Sequence, residues 1–158
     1  MTVTDCYDAA LRILNYRFNS EAELRRKLKR KEFDAEAIEA TIARLRGEKW
    51  IDDTRFAGAF VRAKASKRVG RRRIARELEA AGVADEAIVR AIGEHVDPEQ
   101  ERADLVALCR RKAEALTRRH GAGYPSTESG RQKIAAFLVG KGYEVALVFE
   151  VMREALRS

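Results

Sequence analysis

The 158-residue chain is poor in several residue types, and each shortage argues against a class of protein. Two prolines leave long stretches uninterrupted, which favours helix because proline breaks helix interiors. The two cysteines, Cys6 and Cys109, lie far apart among apolar residues, so we expect buried free thiols in a reducing compartment. His95 and His120 have no cysteine or carboxylate at metal-ligand spacing, which argues against a metal site.

Long apolar runs and catalytic motifs are also missing. No run approaches the roughly 20 apolar residues of a membrane-spanning helix, and the N-terminus lacks the basic and apolar regions of a secretion signal. There is no phosphate-binding glycine loop and no nucleophile elbow. Asp52 and Asp53 could be paired carboxylates, but their place at a helix start favours capping. We therefore expect a complete cytoplasmic protein that is not an enzyme, needs no cofactor or metal, and does not bind a membrane.

Charge, by contrast, is abundant. Charged residues make up 36% of the chain, and 32 basic against 25 acidic residues give a formal charge of +7. A further 46% of the residues are hydrophobic, so the chain can still bury a core. An excess of positive charge indicates a polyanionic partner such as nucleic acid or an acidic protein surface. Solubility alone is the alternative explanation, and the distribution of the charges must decide between them.

A helical segment occurs three times in the sequence. The copies start at Ser20, Gly70 and Gly130, and their apolar positions superpose without a gap. Steps of four residues keep these positions on one helix face. A step of five carries the chain through a turn, where copies two and three have Gly82 and Gly142 and copy one has Glu32. The matched sets are Leu24, Ile74 and Ile134; Leu28, Leu78 and Leu138; Phe33, Val83 and Tyr143; Ile38, Ile88 and Val148; Ile42, Ile92 and Met152.

Another helical stretch precedes each copy, so the repeating unit has three helices. We expect an all-α fold: an elongated, curved array of three tandem three-helix repeats at residues 1–50, 51–96 and 97–158. Single units of this size bury too little apolar surface to be stable alone, so they should pack against one another. The glycine-rich segment 121–130 is predicted to be a flexible loop that lengthens repeat three.

Capping signals agree with these boundaries. Residues 20–23 form a capping box, and Asp97 with the proline after it is a related helix start. Asp34 and Asp53 are predicted N-caps for the helices that follow them. Trp50 is predicted to pack between units, with base stacking as the less favoured alternative.

The positive charges are concentrated in three clusters. From Thr54 to Arg76 there is no acidic residue, and the stretch extends into the start of a helix, where the macrodipole disfavours positive charge. Such a run indicates a partner that carries phosphates, although few aromatics interleave with it, so a base-stacking platform is not predicted. This central cluster consists of Arg55, Arg62, Lys64, Lys67, Arg68, Arg71, Arg72, Arg73 and Arg76. The copy-one cluster consists of Arg25, Arg26, Lys27, Lys29, Arg30 and Lys31, and the copy-three cluster of Arg110, Arg111, Lys112, Arg118 and Arg119.

Residues 50–57 (WIDDTRFA) followed by residues 60–62 (FVR) closely resemble the signature of the RecX family of regulatory proteins. Residues 20–28 of copy one are similar to that family's first repeat, and Gly70, Ile74 and residues 77–78 to its second. The resemblance is strong from about residue 9 to residue 92 and weak through copy three.

The resemblance implies a monomer that modulates, and usually inhibits, the RecA recombinase in the response to DNA damage, by lying in the groove of the RecA filament on DNA. On this hypothesis the central cluster, with Arg25, Arg26 and Lys27, contacts single- or double-stranded DNA or RecA itself. Neutralising Arg71, Arg72 and Arg73 should then weaken binding. The competing hypotheses are a stand-alone helical DNA-binding protein and a scaffold whose charge serves only solubility.

Overall fold

The computed structural model describes residues 2–157, and that part of the chain folds into nine α-helices and one short 3-10 turn, without any strand. The helices are α1 (Val3–Tyr16), α2 (Glu21–Arg30), α3 (Ala35–Gly47), α4 (Asp53–Ser66), α5 (Arg71–Ala80), α6 (Asp85–His95), α7 (Pro98–His120), α8 (Glu128–Gly140) and α9 (Val145–Ala155). The predicted all-α class and the threefold order of three helices are confirmed. None of the described helices combines the length and apolar character needed to cross a membrane.

Most helices begin where the capping signals predict. The Ser20 hydroxyl accepts a hydrogen bond from the Glu23 main-chain N–H at 3.1 Å, and the Glu23 carboxylate accepts one from the Ser20 main-chain N–H at 3.1 Å. Asp34 caps α3 through the main-chain N–H of Ala37, at 2.8 Å. Asp97 caps α7, which has proline in its first turn. Each cap gives an otherwise unpaired helix N–H an acceptor.

The predicted Asp53 cap is wrong by one residue. Asp52 accepts the main-chain N–H groups of Thr54 and Arg55 at 3.0 and 3.2 Å, so Asp52 caps α4. Asp53 is the first residue of that helix, and its carboxylate instead accepts the main-chain N–H of Glu21, at 2.9 Å. The two neighbouring carboxylates thus satisfy the starts of two different helices, α4 and α2.

The matched apolar positions form the interior, as the repeat predicts. All of them are buried except Ile92, which is partly exposed. Both cysteines are fully buried free thiols, as predicted. Burial of these side chains is the main favourable term for folding, at about 25 cal/mol per Å² of apolar surface.

The described chain divides into two compact units, each with its own core cluster. The first holds the chain up to Phe60 together with Glu77–Ala91, and the second holds Val61–Arg76 and the chain from Ile92 onward. Cys6 belongs to the core cluster of the first unit and Cys109 to that of the second. The three repeat boundaries and the curvature of the array stay predictions.

The turn after the first helix of each copy has the same left-handed backbone. Its φ angle is 68° at Glu32, 81° at Gly82 and 100° at Gly142. Glycine is required at Gly82 and Gly142 for a second reason, since a Cβ there would overlap the side chain of Ala22 and that of Arg73, respectively. Glu32 is exposed, which explains why copy one tolerates a larger residue.

These turns make the same type of contact in both units. In the first unit the Ala81 carbonyl accepts the Ser20 hydroxyl at 2.5 Å, at the start of α2. In the second the Lys141 carbonyl accepts the Gly70 main-chain N–H at 2.8 Å, at the start of α5. Ser20 and Gly70 are the first residues of copies one and two. The turn of the next copy therefore supplies a carbonyl to each of these helix starts.

The prediction of a loop at residues 121–130 is only partly correct. Tyr124–Ser126 forms a 3-10 turn, and α8 begins at Glu128, because the Thr127 hydroxyl accepts the Gly130 main-chain N–H at 3.0 Å. The Tyr124 ring stacks on His120, with 4.1 Å between the ring centroids. Gly130 is buried so tightly that a Cβ would overlap main-chain atoms of this turn. The segment is thus folded onto the start of α8.

Candidate nucleic-acid interface

Four side chains of the central cluster are exposed and make neither an ion pair nor a hydrogen bond with any residue that the structure describes. They lie in the turn after α4 and on α5, whose first turn contains no acidic residue. Here the positive end of the helix dipole adds to the side-chain charge, which makes the region attractive to anions. The four are Lys67, Arg72, Arg73 and Arg76.

Other members of the central cluster are held by the protein itself. Arg71 forms a two-point ion pair with Glu101 on α7, with N–O distances of 3.0 and 2.9 Å, and only 10% of the Glu101 side chain is exposed. This pairing raises the pKa of the Arg71 guanidinium. Arg68 lies 3.6 Å from the Asp104 carboxylate. A two-point pair fixes the orientation of the guanidinium, so Arg71 is a structural contact between α5 and α7.

The remaining three members of the central cluster, Arg55, Arg62 and Lys64, differ in their bonding partners and exposure. The Arg55 guanidinium donates to the Lys49 carbonyl at 2.9 Å, and the Arg62 guanidinium lies 3.4 Å from the His95 ring nitrogen. Both arginines remain exposed, whereas Lys64 is partly buried. The sequence cannot separate these residues from the four whose side chains have no bonding partner among the described residues, because all nine belong to one uninterrupted basic stretch.

Arg25, Arg26 and Lys27, the copy-one residues predicted to contact DNA or RecA, also bond to other residues of the protein. Arg25 forms a two-point ion pair with Glu39 on α3, at 2.7 and 3.0 Å. Arg26 donates to the Ala80 carbonyl at 2.8 Å, and Lys27 to the Asn19 side-chain oxygen at 2.6 Å. In the same cluster, the exposed residues are Arg26, Lys29, Arg30 and Lys31.

A basic groove between α1 and α2 is a site that the sequence did not reveal. It has a volume of about 340 Å³ and is lined by Ala9, Arg12, Ile13, Tyr16, Arg17, Lys27 and Lys31. The Tyr16 side chain is 92% exposed, and Phe18, two residues further on, is 65% exposed. The sequence feature that indicates this groove is the segment NYRFNS at residues 15–20, where two aromatic residues flank an arginine at the end of a helix.

The copy-three cluster lies on α7. Arg110, Arg111, Arg118 and Arg119 are exposed, while the Lys112 ammonium lies 4.9 Å from the centroid of the Phe137 ring. Outside the clusters, Trp50 is 54% exposed. The prediction that Trp50 is a packing residue is therefore wrong, since more than half of its surface is solvated.

Comparison with known proteins connects this fold to one family. A model for "RecX, first three-helix domain" matches residues 6–45, and one for "RecX, second three-helix domain" matches residues 52–92. The chain is 36% identical over 156 residues to "Regulatory protein RecX" of Escherichia coli O9:H4 (strain HS), covering 92% of this chain and 89% of that protein. It is 31% identical over 154 residues to the protein of the same name from Amycolatopsis mediterranei (strain U-32), covering 97% and 82%.

Solved structures agree on the fold. The crystal structure of RecX from Lactobacillus salivarius superposes with a TM-score of 0.80 at 24% identity, covering 97% of this chain and 96% of that one. A second crystal structure, of regulatory protein RecX, gives a TM-score of 0.76 at 24% identity, covering 96% and 71%. Two matched three-helix domains, curated relatives above 30% identity and a shared fold lead to one assignment. The chain belongs to the RecX family of regulatory proteins.

Proposed function

We propose that this protein binds the RecA–DNA filament in the cytoplasm and modulates, in the inhibiting direction, the recombinase and ATPase activities of RecA during DNA repair. Membership of a family of regulatory proteins, and the RecA control that the resemblance implies, support this proposal. The observation that carries it is the set of four exposed, unpaired cations at the α4–α5 connection and on α5, Lys67, Arg72, Arg73 and Arg76.

These four cations suit a filament that presents DNA phosphates and acidic protein surface. Contacts of this kind set affinity and its dependence on salt rather than sequence preference, because phosphates are the same at every base. Arg71 contributes by holding α5 against α7, since its guanidinium is already occupied by Glu101. The binding surface therefore depends on Arg72 and Arg73, with Arg71 as a positioning residue.

The test measures DNA-dependent ATP hydrolysis and strand exchange by RecA with substoichiometric amounts of this protein. We expect the wild type to inhibit both at well below one copy per RecA. A variant with Arg72, Arg73 and Arg76 changed to glutamine should inhibit far more weakly and show a smaller salt dependence.

The matched control changes Arg111, Arg118 and Arg119 to glutamine, which removes the same charge from exposed positions on α7. Equal loss in both variants would mean that net charge, and not this surface, drives binding. Inhibition that begins only when the DNA is saturated would favour a stand-alone DNA-binding protein. Absence of both inhibition and DNA binding would leave the scaffold hypothesis.

A further inference from the structure

All the charged residues that line the groove between α1 and α2 are basic. Its charged residues are Arg12, Arg17, Lys27 and Lys31, and no acidic residue lines it. Arg17 is the one member in an ion pair with a described residue, at 3.1 Å from Glu23, and its side chain remains 51% exposed. Four cations around a concave surface raise the local concentration of anions.

Lys27 makes no ion pair with a described residue. Its ammonium donates to the Asn19 side chain, which is neutral, and burial together with the positive charge of Arg17 lowers the pKa of Lys27. A partly desolvated ammonium beside a second cation is stabilised when an anion binds next to it. Electrostatics of this groove therefore favour a polyanion.

One exposed aromatic ring lines the same groove, and a second lies two residues further along the chain. Tyr16 lines it with 92% of its surface exposed, and Phe18 stands on the connection that follows. A single exposed aromatic residue needs no explanation. Two exposed rings two residues apart, one of them in a groove with four cations, are typical of surfaces that bind single-stranded nucleic acid, because bases stack on rings while cations follow the backbone.

The connection that carries these rings is fixed in place. Asn19 is 3% exposed, and its amide donates to the Arg17 carbonyl at 2.8 Å while its oxygen accepts from Lys27 at 2.6 Å. The Arg17 guanidinium in turn donates to the Phe18 carbonyl at 2.8 Å. A groove organised before binding loses less conformational freedom when a ligand is ordered on it.

The other copies lack this combination. In the superposition of copies, Tyr16 corresponds to Ser66 in copy two, and Lys27 corresponds to Glu77 in copy two and to Phe137 in copy three. The repeated core therefore does not require aromatics or lysine at these positions. Their presence in copy one is a feature of this surface alone.

We propose that the α1–α2 groove binds a segment of single-stranded nucleic acid, with bases stacked on Tyr16 and Phe18 and phosphates held by Arg12, Arg17, Lys27 and Lys31. Duplex nucleic acid fits less well, since its bases are already stacked on one another and cannot reach the rings. The site goes beyond the proposed function because it acts on the strand itself, without RecA, and uses a different set of residues from the central cluster.

Binding is measured by the fluorescence anisotropy of a labelled oligothymidylate with the full chain, without RecA. Alanine at either aromatic position should weaken binding by about 5-fold to 140-fold, the range expected for loss of one stacked base. The conservative Tyr16→Phe variant should bind like the wild type, because stacking needs only the ring. Lys27→Gln should weaken binding and lower the salt slope by about 0.7, the value for one phosphate contact to a single strand.

The matched control is Val89→Ala, which removes an apolar side chain that is 72% exposed on α6 in the same unit. It should not change the affinity. Circular dichroism and thermal unfolding check that each variant is folded. Wild-type affinity in a folded Tyr16→Ala, Phe18→Ala double variant would overturn the proposal.

A direct reading of stacking comes from Tyr16→Trp in a Trp50→Phe background, which leaves one tryptophan in the chain. Its emission should be quenched when oligothymidylate saturates the protein. Unchanged emission at saturation, equal affinity for a duplex of the same length, or displacement by polyglutamate as effective as by oligothymidylate would each contradict the proposal. Since no RecA is present, these outcomes are independent of the inhibition assay.

Discussion

At the scale of single residues, Asp53 shows that a residue at the start of one helix can stabilise the start of another helix that is distant in the sequence. Its carboxylate is partly buried and accepts the main-chain N–H of Glu21 at the start of α2. Burial raises the pKa of Asp53, and the hydrogen bond from Glu21 offsets this only in part. The ionised carboxylate is thus useful as an acceptor and costly as a buried charge.

The need for an acceptor and the cost of a buried charge predict different effects for two substitutions. Asp53→Ala should lower the free energy of unfolding by about 1 kcal/mol, because a helix N–H loses its acceptor. Asp53→Asn keeps an acceptor and removes the buried charge, so it should not destabilise the protein at neutral pH. Urea unfolding of both variants and the wild type measures the difference, and equal losses would contradict this account.

The same group predicts a pH dependence. With its pKa raised in the folded state, Asp53 binds more protons when folded than when unfolded, so its contribution to stability falls as pH rises from its ordinary pKa of 3.8 through the higher folded value. Comparing unfolding free energies of wild type and Asp53→Asn across this acidic window isolates the effect. The difference should grow in favour of the asparagine variant as pH increases.

Glycine at the left-handed turns provides a second residue-scale prediction. Gly142→Ala should destabilise the protein by roughly 1–3 kcal/mol, from backbone strain and from overlap with Arg73. Glu32→Gly is the control at the equivalent exposed turn, where relief of strain and the added freedom of the unfolded chain oppose each other. Thermal unfolding should show a large loss for the first variant and little change for the second.

At the scale of helices, the pairing of Arg71 with Glu101 separates stability from binding within three consecutive arginines. Arg71→Gln leaves the nearly buried Glu101 carboxylate unpaired and should cost roughly 1–3 kcal/mol. Arg72→Gln, one residue later on the exposed side of α5, should leave stability unchanged and weaken polyanion binding. Melting temperature and DNA affinity are measured for both variants. Arg71→Gln should lower the melting temperature, whereas Arg72→Gln should lower the DNA affinity at an unchanged melting temperature.

At the scale of the whole molecule, the two cores each contain a reporter. Cys6 and Cys109 are fully buried in different core clusters, and burial raises the pKa of the Cys109 thiol. Because both sulfur atoms are shielded from solvent, neither should react with a thiol reagent in the folded protein. Labelling of Cys109→Ser and Cys6→Ser variants in increasing urea then measures the opening of the first and second core separately. Rapid labelling without urea would contradict the burial of the thiols.

Much of this fold follows from the sequence by itself. Periodic apolar positions such as Leu24 and Leu28 identify the helices, Ser20 identifies the start of α2, and Gly142 marks a left-handed turn. Each of these features depends on residues within about one helical turn, so the local sequence determines it. The family resemblance likewise depends on consecutive residues around Trp50, although the exposure of that ring could not be predicted.

Only the tertiary structure decides which charges are available. Arg71 and Arg72 are neighbours in a uniform basic run, and packing gives the first a carboxylate 30 residues away while leaving the second exposed. Packing also lets the Asp53 carboxylate, in the first turn of α4, accept a hydrogen bond at the start of α2. It likewise brings Lys27 of α2 and Tyr16 of α1 into the same groove. The physical reason is shared: hydrogen bonds and ion pairs between distant segments depend on how helices pack, and no local pattern encodes that arrangement.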